Sequence, residues 1–279
     1  MSKTQEQSET VADEAASKLE AVSTSVIYEV ISRDGEHELD RSFSALWWSG
    51  VIAGLAISMS VLAKGVLVAV LPDARWTPAV SNFGYSLGFL IVILGRMQLF
   101  TENTITPILS LLRAPTAKNF ARTLRLWAIV FTANMVGCLL AATVLVFVHI
   151  LPAEHFAGIL DVSRHYAKAT PMQHLTWGMP AGFLIASLVW IMPRMKDAGE
   201  VLVIVLITYM IGLAGLSHVV AGSTELFVLM LLGELTLLQV TFEGIAPALA
   251  GNVIGGTGMF AAITYAQVRE EVTRPSRRR

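Results

Sequence analysis

Cysteine is almost absent from this chain of 279 residues: only Cys138 occurs, inside an apolar run. A single cysteine can form neither a disulfide framework nor a thiolate metal site. Charged residues are also scarce, at 15% of the chain against about 25% in an average soluble domain. The net charge is −1 and no segment forms a basic domain, so nucleic acid is not an expected partner.

Short hydrolase motifs give no support for an enzyme either. The chain contains no H-E-x-x-H zinc motif, and its G-x-S-x-G match at residues 84–88 lies inside an apolar span, not at the strand-to-helix turn of a nucleophile elbow. Ser217 directly precedes His218, which does not by itself place the serine for proton abstraction. Four further histidines have spacings that fit no compact metal-ligand motif: His149, His155, His165 and His174. We therefore expect no enzyme, no metal site and no cofactor, and we expect these four histidines to face solvent.

The N-terminal sequence MSKTQEQSETVADEAASKLE lacks the basic and apolar regions of a signal peptide, so the first span is expected to insert as a permanent anchor. What the chain does contain is a series of apolar stretches near the length of about 20 residues that crosses a bilayer. They predict an all-α membrane protein with six transmembrane helices. The predicted spans are 44–71, 80–113, 124–150, 173–193, one that starts near 199, and 245–268.

Polar tails flank the predicted transmembrane domain of residues 44–268. Residues 1–43 form an N-terminal tail, and residues 269–279 form a basic C-terminal tail. Apolar residues recur at helical spacing in the first tail: Leu19, Val22, Val26, Ile27, Val30 and Ile31. This spacing predicts an amphipathic helix that lies on the membrane face or on the protein's own cytoplasmic surface.

Basic residues fall mainly on one side of the six spans. The loop 113–127, the short loop after the fourth span and the C-terminal tail are rich in Lys and Arg, whereas the opposite loops hold only three such residues. Because basic loops stay in the cytoplasm, we predict a multi-pass protein of the bacterial inner membrane with both termini cytoplasmic. An opposite loop holds three acids that we expect at interfaces: Glu225, Glu234 and Glu243.

Two of the predicted spans are interrupted by polar residues. The stretch 101–104, followed by Pro107, interrupts the second span, and Ser217-His218 interrupts the fifth. Backbone polar groups cannot stay unpaired against lipid, so such inserts must face protein or a water-filled path. The two spans are the middle helices of two three-span halves, and matching breaks predict an inverted repeat with a site near the midplane. The alternative is a simple kink or a misplaced boundary.

Broken helices can also supply chemistry. The N-terminus of a half-helix presents N–H groups and a partial positive charge, which suit an anion. A lone histidine on an apolar helix is usually a core residue, but His218 lies in a break and is predicted to be a pore residue or proton donor. The predicted pore or substrate residues are Thr101, Glu102, Asn103, Thr104, Ser217, His218 and Asn252.

Four segments together resemble the formate/nitrite transporter family over residues 44–268, with consistent spacing. These segments are Gly84-Tyr85-Ser86-Leu87-Gly88-Phe89 leading to Leu99-Phe100-Thr101, then Asn134-Met135-Val136-Gly137, Gly215-Leu216-Ser217-His218 and Gly251-Asn252-Val253-Ile254-Gly255-Gly256. The resemblance implies an aquaporin-like protomer, a homopentamer with one pore in each protomer, and small monovalent anions such as formate, nitrite, hydrosulfide or lactate as substrates. It places a threonine at Thr101 and the central histidine at His218. The implied apolar constrictions include Tyr85, Phe89, Leu99, Phe100 and Ile211.

The chain departs from the family pattern at three positions. Ser217 stands where the family usually has an acid, Gly222 stands where it usually has asparagine, and Glu102 stands where small polar residues are commoner. Lys64 and Arg96 are unusual charges within predicted spans and are candidate ion partners of Glu102. Glu102 is therefore either a member of a fixed ion pair or a second proton acceptor with an altered pKa.

The predicted function is transport of a small monovalent anion or its weak acid across the lipid bilayer. A bare anion in a narrow apolar pore is costly, and protonation relayed by His218 with Thr101 would let the neutral acid pass. One alternative is an aquaporin-like channel for small neutral solutes. Another is a non-conducting scaffold or sensor that uses the N-terminal helix to bind partners.

Overall fold

The computed structural model describes residues 23–273, and every regular element in that range is helical. The predicted tail positions 1–22, with Leu19 and Val22, and 274–279 lie outside the described residues. The helices are α1 (Thr24–Asp40), α2 (Phe43–Val70), α3 (Thr77–Leu94), α4 (Thr106–Arg113), α5 (Ala117–Phe147), α6 (Ala153–Ala167), α7 (Pro171–Ile191), α8 (Ala198–Leu213), α9 (Val219–Leu231) and α10 (Gln239–Val272). A 3-10 turn at Glu102–Thr104 precedes α4.

Five of these helices are long and apolar enough to cross a membrane: α2, α3, α5, α7 and α10. They overlap the predicted spans 1, 3, 4 and 6 and the first part of span 2. Helices α8 and α9, with 16 and 13 residues, are apolar but shorter than the roughly 20 residues of a full crossing. Helix α5 begins earlier than predicted, because the Thr116 hydroxyl accepts the Asn119 N–H at 3.2 Å and caps the helix before its apolar part.

Close glycine contacts join α2 to α5 and α7 to α10. A Cβ on Gly54 in α2 would collide with the carbonyl oxygen of Asn134 in α5. A Cβ on Gly182 in α7 would collide with the carbonyl oxygen of Asn252 in α10. Small residues allow this close backbone approach between membrane helices. The two helix pairs therefore form the same kind of joint, each beside a buried asparagine.

Helices α3 and α8 end in the same turn. Arg96 and Gly215 have positive φ values, 49° and 64°, as expected for the residue that closes a Schellman motif. The carbonyls of Val92 and Ile211 each accept the backbone N–H of the residue that follows the turn, at 3.0 Å. Arg96 and Gly215 are 119 positions apart in the sequence, and so are Val92 and Ile211. A non-helical segment then leads from α3 towards α4 and from α8 to α9.

Two helices lie where the sequence analysis predicts loops. Helix α6 occupies the connection between α5 and α7, and α9 occupies the start of the predicted external loop. Helix α9 is enclosed by α2, α5 and α6, so Glu225 is only 4% exposed and the expectation that it lies at an interface is wrong. His174 at the start of α7 is 1% exposed, because Tyr166 of α6 covers it, so the expectation that it faces solvent is also wrong.

The N-terminal helix α1 packs on the protein's own surface, against α4 and the end of α10. Ile27 and Ile31 on its inner face are each 2% exposed, whereas Val26 and Val30 point outwards. The Tyr28 hydroxyl donates to the Leu109 carbonyl in α4 at 2.7 Å. Burial is the main reason that the pKa of Tyr28 is raised to about 12, so this hydroxyl remains a donor at neutral pH.

The glycine joint between α2 and α5 makes a testable claim about stability. We expect Gly54→Ala to destabilise the folded protein by about 1–3 kcal/mol, the usual cost of overpacking, because the new methyl group meets backbone. Thermal unfolding in detergent measures this change. Gly258→Ala in α10 is the matched control, since its Cβ has no described atom within 4 Å. Equal melting temperatures for the two variants would contradict the proposed role of the joint.

Candidate functional site

A buried pair, His218 and Thr101, lies where the two non-helical segments meet. His218 Nε2 and Thr101 Oγ1 are 2.8 Å apart, and both residues are 0% exposed. His218 is also the N-cap of α9, where its Nδ1 accepts the Ala221 N–H at 3.3 Å. With Nδ1 acting as acceptor, the neutral ring carries its proton on Nε2 and donates it to Thr101. Within residues 23–273 the Thr101 hydroxyl hydrogen has no other acceptor, so it is available to a ligand.

Two asparagine side chains hold the non-helical segments. Asn134 accepts the Phe100 N–H at 2.9 Å and donates to the Gln98 carbonyl at 2.9 Å. Asn252 accepts the Val219 N–H at 2.9 Å and donates to the Ser217 carbonyl at 2.8 Å. Each asparagine also donates to a glycine carbonyl on the neighbouring helix. These amides supply the partners that the interrupted backbone lacks.

Buried apolar side chains surround the pair on both sides. All five predicted constriction residues are at most 6% exposed: Tyr85, Phe89, Leu99, Phe100 and Ile211. The Phe89 ring lies edge-on to the His218 ring, with centroids 4.9 Å apart, and Tyr85 follows at 5.4 Å from Phe89. Phe100 turns the other way and contacts Trp127 and Phe131 at centroid distances of 5.7 Å and 5.1 Å.

A cavity of about 420 Å³, the Lys64 cavity, opens on the α6 side of the pair. Its polar lining residues include Lys64, Tyr85, Tyr166, Lys168, Ser217 and Glu225. The Lys64 ammonium lies 5.6 Å from the centroid of the Tyr85 ring, within cation–π range, and it interacts electrostatically with Glu225. This cavity therefore contains an acid and a base close to the aromatic residues that lead to His218.

An ion pair outside the spans joins α6, which borders the Lys64 cavity, to the segment after α9. Arg164 donates to Glu234 through Nε at 3.0 Å and through a terminal nitrogen at 2.6 Å. These hydrogen bonds hold the pKa of the Glu234 carboxyl below its usual value. The contribution of the pair to stability is therefore present at neutral pH and is lost as the pH falls through that lowered pKa.

A second cavity of about 510 Å³, the Glu102 cavity, lies on the α1 side. Its charged and titratable lining residues are Asp34, His37, Glu38, Arg96, Glu102 and Glu200. Leu99 also lines this cavity. A series of contacts runs from Tyr85 in the Lys64 cavity through Phe89, His218 and Thr101 to Glu102 in this cavity. The imidazole–hydroxyl pair thus separates two polar cavities.

The structure does not bring both candidate ion partners to Glu102. Lys64 lines one cavity and Glu102 the other, and Arg96 shares the cavity of Glu102 without an ion pair within 4.0 Å. Thr104 supports the turn, because its hydroxyl donates to the Thr101 carbonyl at 2.7 Å. The Asn103 carbonyl also supports the turn, because it accepts the Trp127 Nε1–H at 2.8 Å.

Two further residues beside the site were missed by sequence reasoning. The Tyr166 ring fills the space at Gly222, where any Cβ would collide with it. His174 Nδ1 lies 3.0 Å from the Ser217 hydroxyl and its ring packs on Tyr166 at 4.7 Å. The one sequence feature that could have indicated Tyr166 is Gly222, because glycine in the place of the family's asparagine leaves room for a large neighbouring side chain. Which side chain fills that room could not be predicted from the sequence.

Helices of membrane-spanning length around a buried polar pair and two cavities define a polytopic membrane protein with a candidate pore. The sequence profile described as "Formate/nitrite transporter" matches residues 25–266, and the chain belongs to this family. The family is one of transporters and not of enzymes, which confirms the expectation that this chain is not an enzyme.

Individual relatives agree with this assignment. The chain is 37% identical over 247 residues to "Inner membrane protein YfdC" of Escherichia coli (strain K12), which covers 88% of this chain and 79% of that protein. Its fold resembles that of an "FNT family ion channel" with a TM-score of 0.74 at 16% identity, covering 86% of this chain and 98% of the other. A "Pentameric formate channel with formate bound" gives 0.69 at 18% identity, covering 82% and 98%.

The asparagine clamp on α9 predicts a stability effect. We expect Asn252→Ala to destabilise the protein strongly, since each buried backbone group left unpaired costs about 1–3 kcal/mol, and the Val219 N–H and Ser217 carbonyl both lose their partner. Thermal unfolding is again the measurement. Asn119→Ala, which removes a partly exposed bond to the Ala114 carbonyl, is the control. A melting temperature no lower than that of the control would refute the clamp.

Proposed function

We propose that the protein has six transmembrane spans arranged as two inverted halves. In this arrangement α3 and α4 are the two parts of a broken second span, and α8 and α9 are those of a broken fifth span. The equal closing turns at Arg96 and Gly215 support the repeat, as do the equivalent clamps by Asn134 and Asn252. Non-helical backbone at membrane depth is tolerated where it lines a cavity, and each break borders one.

The substrate that fits this site best is a small monovalent anion that crosses together with a proton as its weak acid. The single observation behind the proposal is the buried His218–Thr101 pair between the two cavities. The pair offers a hydroxyl donor in a surrounding of Phe89 and other apolar side chains. A charged solute is costly in such surroundings, whereas a neutral acid is not.

Protonation at the centre follows from the tautomer of His218. The Thr101 hydroxyl transfers its proton to an oxygen of the anion, which forms the O–H bond of the neutral acid. The Nε2 proton of His218 moves to the Thr101 oxygen as a hydronium ion from the cavity gives its excess proton to the ring and becomes water, so neither side chain keeps a net charge. The acid releases its proton to water on the far side, so the net result is the movement of one anion with one proton.

We infer the assembly and the location of the protein from those of its relatives. A homopentamer is proposed because the formate channel with a similar fold is described as pentameric. A bacterial inner membrane is proposed because the Escherichia coli relative is described as an inner membrane protein. The basic residues around α4 and α5 favour a cytoplasmic position for both termini.

Replacement of His218 tests the central relay. In proteoliposomes with an inward proton gradient, we expect His218→Asn to lower formate uptake by about 100-fold, the lower end of what positioned proton transfer contributes. Asparagine is a good N-cap, so α9 should still form. His218→Ala should lose uptake and the cap together. Unchanged pH-dependent uptake in the Asn variant, above that of protein-free liposomes, would remove His218 from the mechanism.

A panel of solutes tests the substrate class. We expect the wild-type protein to transport formate, nitrite and lactate faster when the pH on the donor side is lowered from neutral, because each anion takes a proton with it. Glycerol and water should not cross faster than in protein-free liposomes. Rapid glycerol or water flux without anion flux would instead identify a channel for neutral solutes, and no flux of any kind would favour a scaffold or sensor.

A further inference from the structure

Glu102 carries a carboxylate beside the central pair of His218 and Thr101, and the proposed relay does not use it. It directly follows Thr101, which contacts His218. Its backbone is fixed in the 3-10 turn, with the N–H bonded to the Leu99 carbonyl at 3.1 Å. The Glu102 side chain lines the Glu102 cavity, and its Oε1 atom is buried. The turn therefore holds the Glu102 carboxyl group where the series of contacts from Tyr85 through His218 and Thr101 reaches the Glu102 cavity.

No partner satisfies this carboxyl group within the part of the chain that is described. Oε1 has no hydrogen-bond donor, and no lysine or arginine nitrogen lies within 4.0 Å of either oxygen. Lys64 belongs to the other cavity. Glu102 is half-buried, and a carboxylate that has one oxygen buried without a hydrogen bond or a counter-ion is costly. Binding a proton lowers that cost.

The groups that face Glu102 come from two helices and from the segment after α3. Helix α1 contributes Asp34, His37 and Glu38, helix α8 contributes Glu200, and Arg96 follows α3. Glu38 already accepts hydrogen bonds from Arg41 at 3.1 Å and from Gln98 at 2.7 Å. Acidic groups outnumber basic ones around the cavity. This surplus favours a proton over a second anion at Glu102.

We propose that Glu102 is the proton-exchange group of the pore on the side of the Glu102 cavity, which rests on the proposed function above. The neutral acid passes Thr101 and gives its proton to the Glu102 carboxylate, so the O–H bond of the acid breaks and the O–H bond of the carboxylic acid forms. The anion leaves into the cavity. Glu102 then releases the proton to cavity water, and the reverse order serves transport in the other direction.

This role gives Glu102 a different task from His218. The histidine and Thr101 supply a proton at the buried centre, whereas Glu102 exchanges it with solvent where the pore widens into a cavity. Of the two cavities, Glu102 lines only the Glu102 cavity, so its carboxyl group can exchange protons with solvent on that side. Without Glu102, the neutral substrate acid would have to lose its proton to water directly. With Glu102, each anion that leaves transfers one proton to this carboxylate, which couples one proton to one anion.

The test uses Glu102→Gln, which keeps the shape of the side chain but cannot exchange a proton. In proteoliposomes containing a pH-sensitive dye, an inward formate gradient should acidify the interior in the wild-type protein. We expect the variant to lose this acidification. Glu36→Gln on the exposed face of α1, outside the cavity, is the matched control and should behave like the wild type. The quantity compared is the acidification per labelled formate taken up. A ratio in Glu102→Gln equal to that of the wild type would overturn the proposal.

A second measurement works without any flux and separates this proposal from the proposed function. Infrared difference spectra of the reconstituted protein, recorded between neutral and alkaline pH so that exposed carboxyls stay ionised throughout, should contain a protonated carboxyl band that shifts in D2O. The band should be weaker in Glu102→Gln, in which the buried Glu225 still contributes, and unchanged in Glu36→Gln. This weakening with no formate transport in the wild type would contradict the substrate and keep Glu102 as a proton-exchange site. Identical spectra for wild type and Glu102→Gln would overturn the Glu102 proposal.

Discussion

The pore region depends on the pairing of backbone groups where the helices stop. Between α3 and α4, and again between α8 and α9, the chain leaves the helical hydrogen-bond pattern inside an apolar protein. Asn134 and Asn252 provide both a donor and an acceptor for these stretches, and adjacent glycines let the asparagine-bearing helices come close enough. Without such pairing, an interrupted helix at this depth would cost several kcal/mol for each unpaired group. Thr101 and His218 meet because both segments are held in this way.

The charges of the protein are arranged around this neutral centre. His218, Thr101 and the aromatic residues beside them form an uncharged middle, while Lys64 with Glu225 and the acidic group near Glu102 occupy the two cavities. Charged side chains can therefore stabilise an ion in either cavity, whereas the centre between the cavities offers only hydrogen bonds. A weak acid is suited to it, because the molecule can be charged where water is present and neutral where water is absent.

Much of this organisation could be predicted from the sequence, and the remainder depends on tertiary contacts. Apolar runs located the long helices α2, α3, α5, α7 and α10, and four segments together, one of them around His218, indicated the family. The burial of α9 could not be read from its sequence, because it results from enclosure by neighbouring helices. Which cavity holds Lys64 and which holds Glu102 was equally inaccessible, since distance along the chain does not specify distance across a pore. The ring of Tyr166 over Gly222 is a third case of the same kind.

The offset of 119 positions between the two closing turns has a consequence for directionality. Under this offset Leu99 is the counterpart of His218, and Ala221 is the counterpart of Glu102, while the turns that precede them are alike. In the inverted repeat proposed above, a two-fold axis relates the two halves, so the features that they share give the pathway no preferred direction. Any rectification must therefore come from the few side chains at which the halves differ, and exchange of residues between such counterparts would be the way to reverse it.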